Sequence, residues 1–464
     1  MSDHVRREME MQIREGTLFE QALGHAKDYL KSAHERRVAP RQRDLNSLSF
    51  FEEPLPDNKG DAAAIVSSLQ EYGSPGTVAQ TGGRFFGMVN GSVIPASLAA
   101  RFLSDAWDQN AALYAVSPTN SKLEEVCQSW LRELFGLPEQ TVAGFVSGTS
   151  MAVVCCLAAA RYRICTDADW DVNEQGLSGA PEIRIVASRH IHSTVLKAIA
   201  LLGFGTSRIE WVDVDDQGRL LTDSVPNLDS KTILILQAGN VNSGSYDPIR
   251  ACCEMARAAG AWVHVDGAFG LWAAASKRLK HLTDGMELAN SWSVDGHKTL
   301  NTPYDNGLAL CADPEALVNA LQNSAAYIMS SEHRDGMIYT PEMSRRSRAV
   351  ELWAAMKYLG REGIDLLVYG LHERALQFSR ELKAAGFQVI NDVVFNQVLL
   401  DCGDPLVTAN TIRHIQESGE AWVGGSTWFD KSVIRISVCS WATTEADISR
   451  AVKAFVKAHQ EASR

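Results

Sequence analysis

Lys298, which follows His297 at the end of a semi-apolar run, is a residue of this chain that could do covalent chemistry. A lysine amine can form a Schiff base with a carbonyl group when its surroundings favour the neutral amine. A lone lysine is more often a solvated surface group, so the interpretation depends on what accompanies it. Two polar segments precede Lys298 in the chain and strengthen it, the second of them about 30 residues upstream.

The first of these segments is a turn of small residues, Gly148, Thr149 and Ser150, at the start of a predicted helix. Glycine and hydroxyl residues at a helix start can present free N–H groups to a phosphate. The alternative is ordinary N-capping. The sequence lacks a G-x-G-x-x-G motif and a Walker lysine, which argues against a dinucleotide or nucleotide site. The turn is one residue short of a G-x-S-x-G elbow, so a serine hydrolase stays a minor alternative.

The second segment contains Asp266, which follows four strand residues. A buried carboxylate needs a partner, and one suitable partner is a cationic ring nitrogen. The alternatives are a metal ligand or a structural cap. His264 and Asp266 alternate along the predicted strand and therefore make a poor chelate.

An imidazole that could stack on a planar ligand follows another predicted strand, at His192. His190 and His192 could alternatively bind a metal as a pair, but no third ligand supports that interpretation. We therefore predict no metal site.

The elements that must position these residues alternate between strands and helices. Apolar runs at residues 183–187, 232–236, 262–265 and 308–311 predict strands, and residues 150–161 and 248–259 predict helices. Such alternation predicts an α/β fold with a mainly parallel sheet covered on both faces. Ligands of such sheets lie beyond the carboxyl ends of the strands, which is where these residues fall.

Composition limits the class of protein. The chain has 464 residues, 45% hydrophobic and 22% charged, with a net charge of −12, which argues against nucleic-acid and anionic-membrane partners. Its longest apolar run, residues 151–160, is too short to span a bilayer, and its N-terminus is polar. Nine cysteines, an odd number without C-x-x-C, indicate a reduced cytoplasmic protein.

The order of these segments resembles the group II pyridoxal-phosphate-dependent decarboxylases, the family of aromatic-amino-acid, histidine and glutamate decarboxylases. Further similar stretches lie at residues 84–87, 117–138, 344–353 and 435–447. The resemblance implies fold type I of the aspartate aminotransferase superfamily. It implies an N-terminal helical dimerisation segment (1–83), a large cofactor domain (84–320), and a mobile lid with a C-terminal α+β domain (321–464).

The resemblance also assigns roles to residues, and we take pyridoxal 5′-phosphate as the implied cofactor. Lys298 matches the lysine that forms an aldimine with the cofactor, and His297 matches the histidine before it. Asp266 matches the carboxylate at the pyridinium nitrogen. Ala268 matches the small residue under the cofactor ring, and His192 matches the imidazole that stacks over it. Thr149 and Ser150 match the phosphate-binding pair.

Three positions depart from the family pattern or match it loosely. Asn240 stands where the family often has a threonine that contacts the phenolic oxygen, and Thr299 stands where a bulky apolar residue is usual. Tyr339 matches the catalytic tyrosine of a mobile loop, at a shorter spacing. Because the stretch 88–91 differs from the family pattern, the resemblance does not identify the side chain of the substrate.

The implied reaction is decarboxylation of an L-amino acid to the amine and CO₂ through a quinonoid intermediate. Tyr339 or His192 would return a proton to Cα. The alternative is another reaction on the same scaffold: an aldehyde synthase, lyase or aminotransferase reaction. The resemblance implies a homodimer in which residues 330–341 reach over the partner's cofactor.

Overall fold

The computed structural model describes residues 3–322 and 332–464. Its helices are α1 (Asp3–Glu15), α2 (Thr17–Ser32), α3 (Gln42–Asn46), α4 (Ala62–Ser68), α5 (Pro95–Trp107), α6 (Pro118–Phe135), α7 (Thr149–Thr166), α8 (Val172–Gln175), α9 (Ser193–Leu201), α10 (Ile249–Ala259), α11 (Pro314–Leu321), α12 (Ala349–Ala384), α13 (Pro405–Ser418) and α14 (Glu445–Ala462). Its strands are β1 (Val142–Val146), β2 (Arg184–Ser188), β3 (Glu210–Val212), β4 (Thr232–Gln237), β5 (Trp262–Asp266), β6 (Ser291–Asp295), β7 (Gly307–Cys311), β8 (Gln388–Val389), β9 (Gln397–Asp401), β10 (Gly424–Trp428) and β11 (Lys431–Ser437).

These elements belong to two compact units. The first contains residues 1–87, 401–434 and 442–464, and the second contains residues 88–400 and 435–441. The N-terminal segment predicted over residues 1–83 therefore shares a unit with residues 401–434 and 442–464 of the predicted C-terminal region. Residues 332–400, predicted to belong to the C-terminal region, lie in the unit that contains the large sheet.

In the first unit, a buried arginine connects stretches that are distant in sequence. The Arg84 guanidinium donates to the backbone carbonyl oxygens of His34, Arg36 and Glu420. Beside it, the rings of Phe85 and Trp422 stack with centroids 4.9 Å apart. The N-terminal helical region itself is interrupted between α1 and α2 by Gly16, which has a φ of 70°.

In the second unit, a seven-stranded sheet has the order β1-β7-β6-β5-β4-β2-β3. Strands β6, β5, β4, β2 and β3 pair in parallel, and β7 is antiparallel to both of its neighbours. The predicted mainly parallel sheet is thus confirmed. Strands β1, β2, β4, β5 and β6 have their carboxyl ends at the same edge.

Both faces of this sheet are covered. On β4, Leu234 and Leu236 join a core cluster with residues of α6, α10 and α12, whereas Ile233 and Ile235 join a second cluster with residues of α7, α9 and α11. Every β4 residue is buried, which is why the sequence shows a continuous apolar run there instead of an alternating one. The apolar run 151–160 lies in α7, a helix in the sheet's covering layer.

Candidate functional site

The carboxyl edge of the large sheet surrounds a cavity of about 440 Å³. The lining residues come from the segments that follow β1, β2, β4, β5 and β6, with further ones from residues 88–89, Tyr304 and Arg435. The lining residues include Met88, Val89, Thr149, Ser150, His192, Gln237, Asp266, Ala268, Asp295, His297, Lys298, Tyr304 and Arg435. The sheet therefore brings together residues that are up to about 350 positions apart in sequence.

Lys298 projects into this cavity and is paired with a carboxylate that the sequence analysis did not single out. Its Nζ lies 3.0 Å from Oδ2 of Asp295, the last residue of β6. Asp295 is only 2% exposed, and its other oxygen accepts the backbone N–H of Thr149 at 2.7 Å. Burial alone would raise the pKa of Asp295, but the positive charge of Lys298, the neighbouring His297 ring and these hydrogen bonds hold its pKa below the usual range. Asp295 is therefore an anion that positions the lysine.

The start of α7 forms the predicted small-residue turn. Gly148 occupies the N-cap position, where no side chain caps the helix. The Thr149 hydroxyl is buried and has no hydrogen-bond partner among the residues that the structure describes. A Cβ at Gly307 would lie 2.3 Å from the Gly148 Cα, so glycine is needed where β7 passes the turn. The turn thus offers a helix N-terminus and an unused hydroxyl to an anion.

Asp266 ends β5 on the cavity wall and is 5% exposed. Burial raises the pKa of its carboxyl group, against the opposing effects of His192, Lys298, the Ser293 hydroxyl and the Ala268 N–H. Its Oδ1 accepts hydrogen bonds from Ser293 Oγ at 3.2 Å and from Ala268 N at 3.4 Å. A buried carboxylate in this state is suited to hold a cationic group that enters the cavity.

The two predicted imidazoles are neutral hydrogen-bonding groups. His192 is the N-cap of α9, where its Nδ1 accepts the Thr194 backbone N–H at 3.2 Å. His297 Nδ1 accepts the Asn306 backbone N–H at 3.0 Å. Burial lowers the pKa of both histidines. Each ring therefore carries its proton on Nε2, and His192 presents a neutral face to the cavity.

Tyr304 was not anticipated at this site. Its ring stacks on His297 with centroids 4.2 Å apart, and its hydroxyl donates to Asn90 Oδ1 at 2.8 Å. Met88 and Val89 line the cavity with φ angles of 55° and 59°, a region that branched side chains rarely adopt. This strained stretch is the one that departs from the family pattern.

Asn240 is close to the cavity but does not line it, although Gly239 and Val241 do. Its Oδ1 accepts the backbone N–H groups of Asn242 and Ser243. The Nδ2 atom of Asn240 is buried and has no hydrogen-bond partner among the described residues. Gln237 is in the same condition at Nε2 and does line the cavity.

Arg435, on β11, brings a positive charge to the cavity. Within residues 3–322 and 332–464 it has no ion-pair partner at hydrogen-bonding distance. Burial lowers the pKa of its guanidinium group. An arginine in this condition is suited to bind a carboxylate that enters from solvent.

The loop expected at residues 330–341 begins with two residues, Ser330 and Ser331, that lie outside the described part of the chain. From Glu332 onward the segment is anchored to the large unit. Arg334 pairs with the buried Glu124 at 2.8 Å. Arg334 and Asp335, two polar residues of this loop, are therefore buried, and Asp335 Oδ1 accepts the Tyr114 backbone N–H at 2.8 Å.

Tyr339, like Asn240, is a predicted site residue that does not line the cavity. The guanidinium group of Arg334 lies 4.0 Å from its ring centroid, and Tyr339 packs against the core cluster that contains α7. It is not among the residues that line the cavity. Within one chain the structure does not bring Tyr339 to Lys298.

The residues present fit pyridoxal phosphate. The unpaired Thr149 hydroxyl at the start of α7 suits the phosphate, the buried Asp266 suits the ring nitrogen, and Lys298 is an amine for the aldehyde. His192 and Ala268 line the same cavity, as required for residues on the two faces of a ring. In the described part of the chain, no three His, Cys, Asp or Glu side chains are arranged to hold a metal ion. No described helix is long and apolar enough to cross a membrane.

Comparison with known families agrees with this geometry. Residues 45–401 match the sequence model described as the pyridoxal-dependent decarboxylase conserved domain. Mouse acidic amino acid decarboxylase GADL1 is 26% identical over 358 residues, which are 73% of this chain and 62% of that protein. The matched stretch covers 66% of the human GADL1. The chain thus spans somewhat less than two thirds of the length of these relatives.

Solved structures share the fold. The crystal structure of mouse CSAD matches with a TM-score of 0.88 at 20% identity, covering 96% of this chain and 98% of that one. Rhodiola rosea 4-hydroxyphenylacetaldehyde synthase matches with a TM-score of 0.83 at 20% identity, covering 97% and 98%. The expected fold type I architecture is therefore confirmed.

Proposed function

The chain belongs to the pyridoxal-dependent decarboxylase family, and from this premise we propose that it converts an L-amino acid into the corresponding amine and CO₂. The observation that carries the proposal is the placement of Lys298, Asp266 and the start of α7 around one cavity. These are an amine, a buried carboxylate and an anion-binding turn, and pyridoxal phosphate has a group for each.

We propose that the cofactor binds with its phosphate at Thr149 and Ser150 and its ring between His192 and Ala268. Asp266 would hold the ring nitrogen, and Asn240, with Gln237, would lie near the phenolic side. When bound, the cofactor supplies a protonated ring that withdraws the electron pair left at the substrate Cα. His297 would orient the neighbouring phosphate and lysine through Asp295.

Arg435 would bind the carboxylate of the amino acid. It is the cavity's arginine, and its charge is uncompensated by any carboxylate of the described residues within ion-pair distance. Anchoring the carboxylate at Arg435 would fix the orientation of the bonds to Cα and so select the bond that is activated when the cofactor is bound. The bond so oriented is the one that breaks.

A proton must then return to Cα, and the proposed donors are Tyr339 and His192. His192 lies in the chain's own cavity as a neutral imidazole, with its hydrogen on Nε2. Tyr339 is packed elsewhere in the same chain, so its proposed role depends on the partner subunit of a homodimer.

The proposed active unit is this homodimer. Helices α1 and α2 expose large apolar side chains, including Ile13 and Phe19. A second copy could cover them. Sedimentation velocity should show a dimer, and an active monomer would remove this part of the proposal.

Nine free cysteines, eight of them buried, support a cytoplasmic location.

The test is a screen of L-amino acids with the purified protein loaded with pyridoxal phosphate. The measurement is CO₂ release together with the amine formed, by mass spectrometry. We expect equal amounts of both from one class of substrate. Lys298→Ala should release no CO₂, while the matched control Lys231→Ala, at an exposed lysine, should behave as wild type.

The products also separate the alternatives on the same scaffold. Aldehyde with ammonia and hydrogen peroxide, at the expense of amine, would indicate an aldehyde synthase. A keto acid without CO₂ would indicate an aminotransferase. Either result would overturn the proposed amine-forming reaction while leaving the cofactor assignment in place.

A further inference from the structure

A line of polar side chains runs through the core directly behind Asp266. Strands β5 and β6 pair in parallel, with His264 opposite Ser291 and Asp266 opposite Ser293. All four residues are buried, with His264, Ser291 and Ser293 at 0% exposure. Polar groups this deep in a sheet are costly unless they satisfy one another.

These side chains form one continuous chain of contacts. Trp262 Nε1 lies 3.0 Å from Ser291 Oγ, which in turn lies 3.0 Å from His264 Nδ1. On the other side of the imidazole, His264 Nε2 lies 3.5 Å from Ser293 Oγ. Ser293 Oγ lies 3.2 Å from Asp266 Oδ1. The series starts at an indole and ends at the carboxylate of the candidate site.

The indole fixes the direction of the series, because an indole N–H can only donate. Ser291 therefore accepts from Trp262 and has its own hydrogen free for His264 Nδ1. The neighbouring Cys156 thiol directs its hydrogen to the carbonyl oxygens of Trp292 and Leu310. Its sulfur is a weak acceptor that competes poorly with an imidazole nitrogen.

His264 can accept a hydrogen bond at one ring nitrogen and donate one at the other because it is neutral. Complete burial lowers the pKa of His264 to about 3, so the ring carries one hydrogen at neutral pH. With Nδ1 accepting from Ser291, that hydrogen lies on Nε2 and points to Ser293. Ser293 then directs its only hydrogen to Asp266 Oδ1.

We propose that Ser293, oriented by His264, Ser291 and Trp262, is a positioning residue that keeps Asp266 ionised. The inference rests on the proposed function, since that gives Asp266 its task of holding the ring nitrogen. Ser293 does not line the cavity and would act only through the carboxylate.

The other groups around Asp266 are accounted for. His192 faces it from the start of α9, Lys298 faces it from the segment after β6, and the Ala268 N–H donates from its own segment. Burial opposes all of them by favouring the neutral acid. Removing the Ser293 hydroxyl leaves burial less opposed, so Asp266 should take up a proton at a higher pH.

The experiment measures the dissociation constant of pyridoxal phosphate between pH 5 and 9, by titration of the cofactor-free protein followed by absorbance. Wild-type affinity should fall on the acid side as Asp266 becomes protonated. In Ser293→Ala this fall should move up by about one pH unit, the effect of one hydrogen bond to a charged group. Ser291→Ala should shift it less, because the imidazole then loses its orientation but Ser293 keeps its hydrogen.

Two variants control for a merely structural effect. Ser293→Thr keeps the hydroxyl and should restore the wild-type pH dependence. Ser97→Ala deletes a fully buried hydroxyl that donates to the Glu351 carbonyl oxygen, away from the site, and should change nothing in the pH dependence. A Ser293→Ala protein that folds and binds the cofactor with the wild-type pH dependence would overturn the inference.

Asp266→Asn separates this failure from a failure of the proposed function. If Asp266→Asn weakens cofactor binding and flattens the acid side while Ser293→Ala does not shift it, only the role of Ser293 is wrong. If Asp266→Asn binds the cofactor like wild type at every pH, the assignment of Asp266 itself is wrong.

The direction of the series has its own readout in the cofactor-free protein. Nitrogen NMR of ¹⁵N-histidine-labelled protein should show the His264 hydrogen on Nε2, with the signal identified by its absence in His264→Asn. A hydrogen on Nδ1 would leave His264 Nε2 as an acceptor that competes with Asp266 for the Ser293 hydrogen, and the proposed direction would be wrong.

Discussion

Lys298 Nζ lies 3.0 Å from Asp295 Oδ2, and the other oxygen of the same carboxylate accepts the Thr149 N–H at 2.7 Å. One buried anion therefore connects the lysine to the start of α7. The two parts of the site that we propose to contact the cofactor, Lys298 and the start of α7, are thus held together by this single side chain.

The first prediction concerns this ion pair in the cofactor-free protein. Lys298→Met leaves Asp295 buried without its main counter-charge and should lower the free energy of unfolding by about 3 kcal/mol. Asp295→Asn keeps an oxygen for the Thr149 N–H but also breaks the pair. The double variant should lose at least about 1 kcal/mol less than the sum of the two single losses. Urea unfolding measures this, and strictly additive losses would show that the pair is not coupled.

Arg435 gives the second prediction. Arg435→Met should lower kcat/KM by at least roughly 30-fold, because losing about 2 kcal/mol of charge-assisted binding to the substrate carboxylate raises KM and losing the fixed orientation of the bonds to Cα lowers kcat. Because it removes a half-buried charge that has no carboxylate of the described residues beside it, the variant should be at least as stable as wild type. Arg380→Met, at an exposed arginine, is the control. An unchanged KM, or a weakened affinity for the cofactor, would place Arg435 outside the substrate site.

The third prediction uses the pKa of His264. In the unfolded chain this histidine takes up a proton near pH 6.5, whereas in the folded protein burial lowers its pKa to about 3. The free energy of unfolding therefore falls as the pH decreases below about 6.5. His264→Asn should reduce the number of protons taken up on unfolding in this pH range by one. Between pH 6 and 5 its slope should be smaller than that of wild type by up to about 1.4 kcal/mol per pH unit, and equal slopes would contradict the assignment.

Much of the site could be predicted because the fold turns sequence order into position. A strand buried on both faces shows as an apolar run, and the residues after parallel runs meet at one edge of the sheet. Thr149, His192, Asp266 and Lys298 were found in this way, and the structure places all four around one cavity.

The residues that were missed depend on contacts with no local signal. Asp295 is held in place by the backbone N–H of Thr149, which lies 146 positions upstream. Arg435 reaches the cavity from a strand 137 positions after Lys298. The sequence shows both as ordinary charged residues. Tyr339 stays a prediction, because it is expected to act across a dimer, and within one chain the ion pair of Arg334 with the distant Glu124 holds its segment outside the cavity lining.

The fourth prediction tests whether Tyr339 acts on the partner's site. Tyr339→Phe keeps the ring and deletes the hydroxyl, and it should lower the ratio of amine to CO₂ in aerated buffer if the phenol protonates Cα. A mixed dimer of one Tyr339→Phe chain and one Lys298→Ala chain then separates the two arrangements. If Tyr339 acts across the dimer, the site that contains Lys298 also has the tyrosine, and the ratio should be that of wild type.

Two other outcomes would contradict this role. A low ratio in the mixed dimer would mean that Tyr339 acts within its own chain, against the placement seen here. A Tyr339→Phe homodimer with unchanged ratio and rate would show that Tyr339 only packs against Arg334, and His192 would then be the donor to test.

The most direct test of the central claim is to locate the covalently bound cofactor. Borohydride reduction of the pyridoxal-phosphate-loaded protein, followed by proteolysis and tandem mass spectrometry, identifies the modified lysine. We expect the phosphopyridoxyl group on Lys298 alone, and no adduct in Lys298→Ala. An adduct on a different lysine, or none in a protein that releases CO₂ from an amino acid, would contradict the assignment of this cavity as the active site.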